Sequence, residues 1–140
     1  MPRMTLSLAE ADKILSSHFA PWVLDLGLSV AELGEGRAVL RLPWSARLSR
    51  EGGSLSGQAL MAAADTATVI AVSAARGAFV PMTTVQQSTS FQRAVTDADV
   101  LIEAVLTKSG RRMAFADITM TADGSGEIAA RASTVYALLG

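Results

Sequence analysis

The sequence predicts an α+β domain in which one curved antiparallel sheet wraps a single long helix. Three observations carry this reading. Residues 57–75 are dense in helix formers, apolar nearly all round and too long for one strand, so they read as a helix buried on most sides. Residues 83–93, 99–108, 112–122 and 127–138 follow as strand-like segments parted only by short turns. Upstream, residues 25–33 and 37–42 read as a hairpin around Gly34-Glu35-Gly36. With 140 residues, half of them hydrophobic, the chain can bury one core. A single domain over residues 1–140 is therefore expected, with residues 1–20 as a helical lead-in.

Each element has a local cause. Ser7-Leu8-Ala9-Glu10 has the form of a capping box and opens a short helix over residues 8–18, with Leu8, Ala11, Ile14 and Leu15 on one stripe and Pro21 as its stop. In the second hairpin strand Arg37, Val39 and Arg41 alternate with Ala38, Leu40 and Leu42, until Pro43 ends it. A loop rich in Ser, Gly and Arg covers residues 45–56. Gly77 and Pro81 close the long helix. The next strand alternates Val85, Gln87, Thr89 and Phe91 with Thr84, Gln86, Ser88 and Ser90, which predicts two opposite faces. Ser109-Gly110-Arg111 and Asp123-Gly124-Ser125-Gly126 supply the last two turns.

Composition excludes several classes. A net charge of −1 gives no reason to expect a nucleic-acid partner. The absence of cysteine removes disulfides, thiolate chemistry and Cys-ligated metals, and fits a cytoplasmic location. With a single histidine, a zinc site is not expected, nor is any cofactor. The N-terminal residues have no apolar signal core, and Asp65, Thr66, Thr68 and Ser73 interrupt residues 59–75, so no membrane span is expected. The glycine cluster lacks the lysine spacing of a phosphate-binding loop.

The informative stretch is the glycine turn that opens into the helix. Glycine lets a ligand approach the backbone, and a helix start offers free N–H groups. Asp65 sits in the middle of the apolar run, where an ionised carboxylate needs a partner, water or a catalytic role. Gly53-Ser54-Leu55-Ser56-Gly57 followed by Ala64-Asp65-Thr66 resembles the hot-dog fold thioesterases, in particular the phenylacetate-degradation (PaaI-like) type of acyl-CoA thioesterase. The resemblance covers about residues 20–138 and extends to Thr83-Thr84-Val85 with Phe91, to Lys108-Ser109-Gly110-Arg111 and to residues 129–134. It implies a hot-dog fold and hydrolysis of an acyl- or aryl-CoA. Asp65 would be the catalytic acid or base, and the Gly57 N–H would polarise the thioester carbonyl. Thr84 would help place the attacking water, and Lys108 and Arg111 would approach the coenzyme A phosphates. Many members carry His where this chain has Ser56, and Asn where it has Arg50.

The residues themselves agree with that chemistry. A carboxylate can act as base or nucleophile, and a helix start supplies oxyanion donors. Gly57 and Asp65 are eight residues apart, about 12 Å along one helix, so one thioester carbonyl cannot touch both. An antiparallel helix from a second copy closes the gap, which predicts a homodimer, or a dimer of dimers, with interface sites. Gln58 and Asp65 share a helical face with Met61, Ala62, Val69 and Val72, which is expected to line the cleft. Ser56 and Gln58 are candidates either as caps or as catalytic groups, and Met61 as a substrate contact. Arg50, Arg112, Lys108 and Arg111 are candidate phosphate ligands and otherwise solvated cations. Two rivals remain: a hydratase or dehydratase of the same fold, which would want a histidine that the central helix lacks, and a non-catalytic acyl-CoA binding module.

Overall fold

In the computed structural model, residues 5–139 are described; the first four positions of the expected lead-in, and residue 140, lie outside them. The chain runs α1 (Leu8–Ser17), α2 (Pro21–Leu24), β1 (Ser29–Gly34), β2 (Arg37–Leu42), a 3-10 turn (Ala46–Leu48), α3 (Gly57–Arg76), β3 (Met82–Phe91), β4 (Val100–Ser109), β5 (Met113–Ala122) and β6 (Ile128–Leu138). The six strands form one sheet in the order β1-β2-β4-β5-β6-β3, antiparallel throughout. This is the hot-dog arrangement that the sequence predicts.

The helix is held by its own sequence at both ends. Ser56 is the N-cap, its Oγ accepting the Ala59 N–H, and Gly77 takes the left-handed C-cap conformation with φ 81°. Between them Ala63, Ala64, Ala67, Ile70 and Ala71 are fully or almost fully buried against Leu40, Ile102, Ala104 and Ile118 of the sheet. The small alanines let the strands close around the helix. A buried hydroxyl pair, Thr68 Oγ1 to Thr134 Oγ1 at 2.8 Å, ties α3 to β6. By length and composition Gly57–Arg76 could cross a membrane, but 67% of its apolar window is buried inside the fold.

Two local expectations are corrected. Residues 25–28 are not strand: Pro21 opens α2 at the first helical turn, where its missing N–H costs nothing, and Gly27 (φ 74°) turns the chain before β1 starts at Ser29. The two faces of β3 are also not as simple alternation predicts. Thr84 pairs with Tyr136 but Gln86 pairs with Val135, so Val85 is an extra residue, a β-bulge. Alternation restarts after it. Thr84 therefore shares the helix-facing side with Gln87, Thr89 and Phe91, and Val85 is left 56% exposed.

The two edges of the sheet differ. On β1, the Val30 N–H donates to Asp12 Oδ1 of α1 at 3.3 Å, so the lead-in helix covers that edge. On β3 no described element covers the outer side, and Met82–Phe91 contains no charged residue and no proline. A ten-residue edge without those blunting residues leaves its outer backbone groups open to pairing.

Candidate active site

Helix α3 sets the site. Because Ser56 Oγ is taken by the Ala59 N–H at 3.2 Å, the first-turn N–H groups of Gly57 and Gln58 are left with no acceptor among the described residues. Glycine at position 57 also leaves room for Phe91. A Cβ there would stand 3.1 Å from Cζ and 3.3 Å from Cε1 of Phe91, whose ring lies across the start of the helix. Asp65 follows two turns later, about 12 Å along the axis.

Asp65 is half-buried, and β3 reaches it through the bulge. Thr84 Oγ1 donates towards both carboxylate oxygens, 3.1 Å from Oδ1 and 2.9 Å from Oδ2. A hydroxyl has one proton, so this is one shared bond. From β6, the buried Tyr136 hydroxyl donates to the Asp65 backbone carbonyl at 3.1 Å. Burial, reinforced by the neighbouring Asp65 charge, pushes the Tyr136 phenol far above its ordinary value, so it stays a protonated donor. Gln87 Nε2 donates to the Met61 carbonyl at 3.2 Å, and Thr89 Oγ1 donates to Gln87 Oε1 at 2.7 Å. The helix-facing row of β3 thus grips the exposed side of α3 with side chains.

Of the helical face expected to line a cleft, Gln58 and Met61 are exposed and Ala62 and Asp65 half-buried. Val72 is not part of any opening: it is fully buried against Ala114 and Leu138. Val69 is buried as well. The face is open only over its first two and a half turns.

The predicted cations do not gather in one place. Lys108 and Arg111 line a groove of about 480 Å³ with Glu35, Gly36, Arg76 and Gly110. Arg76, at the end of α3, donates from Nη2 to the Gly110 carbonyl at 2.6 Å and so holds the β4–β5 turn against the helix. It lies about 16 Å from Asp65 along the axis. Arg112 does not line this groove; its carbonyl accepts the Leu138 N–H in the sheet. Arg50 sits at the other end of α3, in the turn where the Gly53 N–H donates to the Arg50 carbonyl at 2.9 Å.

Tyr136, Gln87 and Arg76 were not among the sequence candidates. Tyr136 is the only tyrosine of the chain, on the inward row of a strand, where a phenol needs a partner. That signal was available. Arg76 had none beyond its place in the last helical turn. Among the described residues no group of three or more His, Asp or Glu side chains is arranged to hold a metal ion.

Similarity to known proteins agrees with this geometry. Over 112 residues the chain is 24% identical to the protein named "Putative esterase Ta0293" of Thermoplasma acidophilum, covering 80% of this chain and 83% of that one. A mutant of the phenylacetic acid degradation protein PaaI from Thermus thermophilus superposes with a TM-score of 0.75 at 26% identity, over 86% of this chain and all of that one. A hypothetical thioesterase from Streptococcus pneumoniae, solved with coenzyme A, shares the fold, with a TM-score of 0.74 at 18% identity over 81% and 86% of the two chains. The model of the thioesterase superfamily matches residues 52–129, more than half of the chain. That match spans the glycine turn, all of α3 and strands β3 to β5, and the chain belongs to the thioesterase superfamily, as a PaaI-like hot-dog protein.

Proposed function

We propose that the chain hydrolyses an acyl-CoA or aryl-CoA thioester at sites shared between two copies of itself. Asp65 of one chain takes a proton from water as that water attacks the thioester carbonyl carbon, or attacks directly to form an acyl-carboxylate anhydride that water then opens. The Gly57 N–H of the second chain receives the developing oxyanion. The tetrahedral centre collapses, the C–S bond breaks and coenzyme A leaves as the thiol, with the free acid as the other product. Thr84 orients the Asp65 carboxylate, and Tyr136 fixes the helix backbone beneath it. Lys108 and Arg111 face the coenzyme A phosphates from their groove. The solved thioesterase of this fold that contains coenzyme A supports that choice of substrate.

One observation carries the reading. The unsatisfied Gly57 N–H and the Thr84-bonded Asp65 carboxylate lie on one helix, too far apart to act on one carbonyl. The open β3 edge runs beside them. A second copy added to that edge brings the two groups together twice per dimer.

Subunit complementation tests this. Gly57→Pro, which removes that N–H at the first helical position, where proline is tolerated, and Asp65→Asn should each lower thiol release by about 10²-fold or more. Mixed after unfolding and refolding, half of the dimers are hybrids in which one site has both intact groups, so about a quarter of the wild-type site count returns. No recovery, with hybrids present by mass, would refute shared sites. Full activity of Asp65→Asn would refute the catalytic assignment. Binding of acyl-CoA without any thiol release by the wild type would make the chain a binding module.

A further inference from the structure

Apart from the groove at Lys108, a half-open cleft takes no part in the chemistry above. It lies between α1, α2 and the flank of α3, has a volume of about 290 Å³ and is walled by Leu15, Phe19, Val23, Leu24, Leu28 and Thr66. Its polar side chains are Asp12, Ser16 and Thr66, and Ser16 Oγ donates to the Lys13 carbonyl at 3.1 Å. Thr66 Oγ1 donates to the Ala62 carbonyl at 2.8 Å, and Asp12 Oδ1, at the rim, accepts the Val30 N–H. The rest of the wall is apolar, and among the described residues no buried side-chain donor or acceptor lacks a partner, which suits a hydrocarbon better than a polar ligand.

Its position relates it to the candidate site. Thr66 follows Asp65 on α3, so the two side chains leave the helix at one level, about 100° apart. Ala62, one turn earlier, projects between them, about 60° from Asp65 and 40° from Thr66. A small residue therefore stands on the shoulder of the helix that a chain must cross to pass from the carboxylate to the cavity. We infer that this cavity under the lead-in helices takes the apolar tail of an acyl thioester whose carbonyl lies at Asp65. The inference rests on the thioesterase reading for its ligand. A methylene fills about as much space as a water, roughly 30 Å³, so on the order of eight to ten heavy atoms fill the cavity. That corresponds to an unbranched medium-length acyl group or an aryl ring with a short substituent.

The test fills the cavity from either wall. Ser16→Trp on α1 and Val23→Trp on α2 both project at its lining, and neither residue belongs to the Asp65, Gly57 or Thr84 machinery. Binding of non-hydrolysable S-alkyl-coenzyme A thioethers from two to fourteen carbons is measured by calorimetry, beside thiol release from the matching thioesters. In the wild type, affinity should rise about three- to fourfold per added methylene until the cavity is full, near eight to ten carbons, and then level off. Either variant should level off by about four carbons, while turnover of acetyl-coenzyme A stays as in the wild type. Unchanged length profiles in both variants overturn the inference and leave the hydrolytic reading standing. Length-dependent thioether binding that the variants abolish, with no thiol release from any thioester, upholds the cavity assignment and ends the hydrolytic reading. Dissociation of a variant into monomers with the length profile retained would assign the cavity to a segment of the partner chain, and would also overturn the inference.

Discussion

Thr84 is the most exacting place to test the site, because its hydroxyl is bonded directly to the Asp65 carboxylate. Thr84→Val keeps the β-branched shape that suits a strand and removes the hydroxyl that lies 2.9 and 3.1 Å from the carboxylate oxygens. One proton is shared between the two oxygens, so one charge-assisted bond is lost, typically about 1.5–3 kcal/mol. Thr84 is exposed, and water can replace much of that bond in the resting protein, so stability should fall by under about 1 kcal/mol. In the transition state the carboxylate must hold one orientation, and the same energy converts to a loss of about 10- to 150-fold in kcat/KM. Thr84→Ser keeps the hydroxyl and should stay within about threefold of wild type. The decisive measurement is the cycle with Asp65→Asn, read by thiol release. If Thr84 works by orienting Asp65, then Thr84→Val costs almost nothing once the basic oxygen is gone, and the coupling energy equals the single-mutant effect. An undiminished penalty in the Asp65→Asn background would mean that Thr84 acts independently. Full activity of Thr84→Val alone would remove it from the site.

Three further outcomes follow from the same geometry. Gly57→Ala should fold with stability within about 1 kcal/mol of wild type, since the position is helical and the half-exposed Phe91 ring can yield, yet thiol release should fall by about 10²–10³, because the added methyl and the displaced ring crowd the approach to an N–H that alanine retains. Reversing the charges of Lys108 and Arg111 should raise KM for an acyl-CoA while leaving that for a pantetheine thioester, which lacks the nucleotide, nearly unchanged; equal effects on both would count against phosphate binding at that groove. Asp99 accepts the Trp44 N–H at 2.9 Å and a guanidinium N–H of Arg41 at 3.0 Å, which together hold its carboxyl below the ordinary value. Its stabilisation is then complete above the unfolded-state value and lost as pH falls through the lower folded value, so the Tm gap between wild type and Asp99→Asn should be full at pH 7 and close progressively below about pH 4.

Much of the fold was legible because its main elements are locally consistent. The Ser7 and Ser56 caps, the Gly77 stop and the apolar periodicity of α3 all point the same way, and the strands after it end at turns their residues dictate. Asp65 and Gly57 stood out because each breaks its surroundings: a carboxylate in an apolar helix, a glycine at a helix start. What stayed hidden depends on contacts distant in sequence. The bulge at Val85 leaves no mark in Met82–Phe91, because either alternation places a Thr or Gln on each face; only the register with β6 reveals it. Arg76 reads as an ordinary cation at a helix end until the β4–β5 turn is seen folding back to its guanidinium. Residues 25–28 look extended by composition, but α2 at Pro21–Leu24 and the left-handed Gly27 put the start of β1 at Ser29.

If two copies pair through β3 as proposed, the bulge ties the site to that pairing. Without the extra residue, Thr84 would point away from the helix whenever Gln87 pointed towards it, and Asp65 would lose its hydroxyl partner. With it, one strand does two things. Its inward row grips α3 through Thr84 and Gln87, while its outer edge stays free of charge, proline and cover. A strand that both orients the carboxylate and pairs with a second chain would couple the two energetically. Substitutions that weaken a β3–β3 pairing would then lower activity even where they touch no substrate, and Ser88 and Ser90, which point away from α3, are the positions at which that coupling can be measured. Introducing a lysine at Ser88 blunts the edge while leaving the helix-facing row intact. If the sites are shared, thiol release per chain should become dependent on protein concentration in step with the dimer fraction seen by sedimentation. Activity that stays constant while the protein dissociates would show that one chain suffices, and that the Gly57 N–H belongs to some other contact.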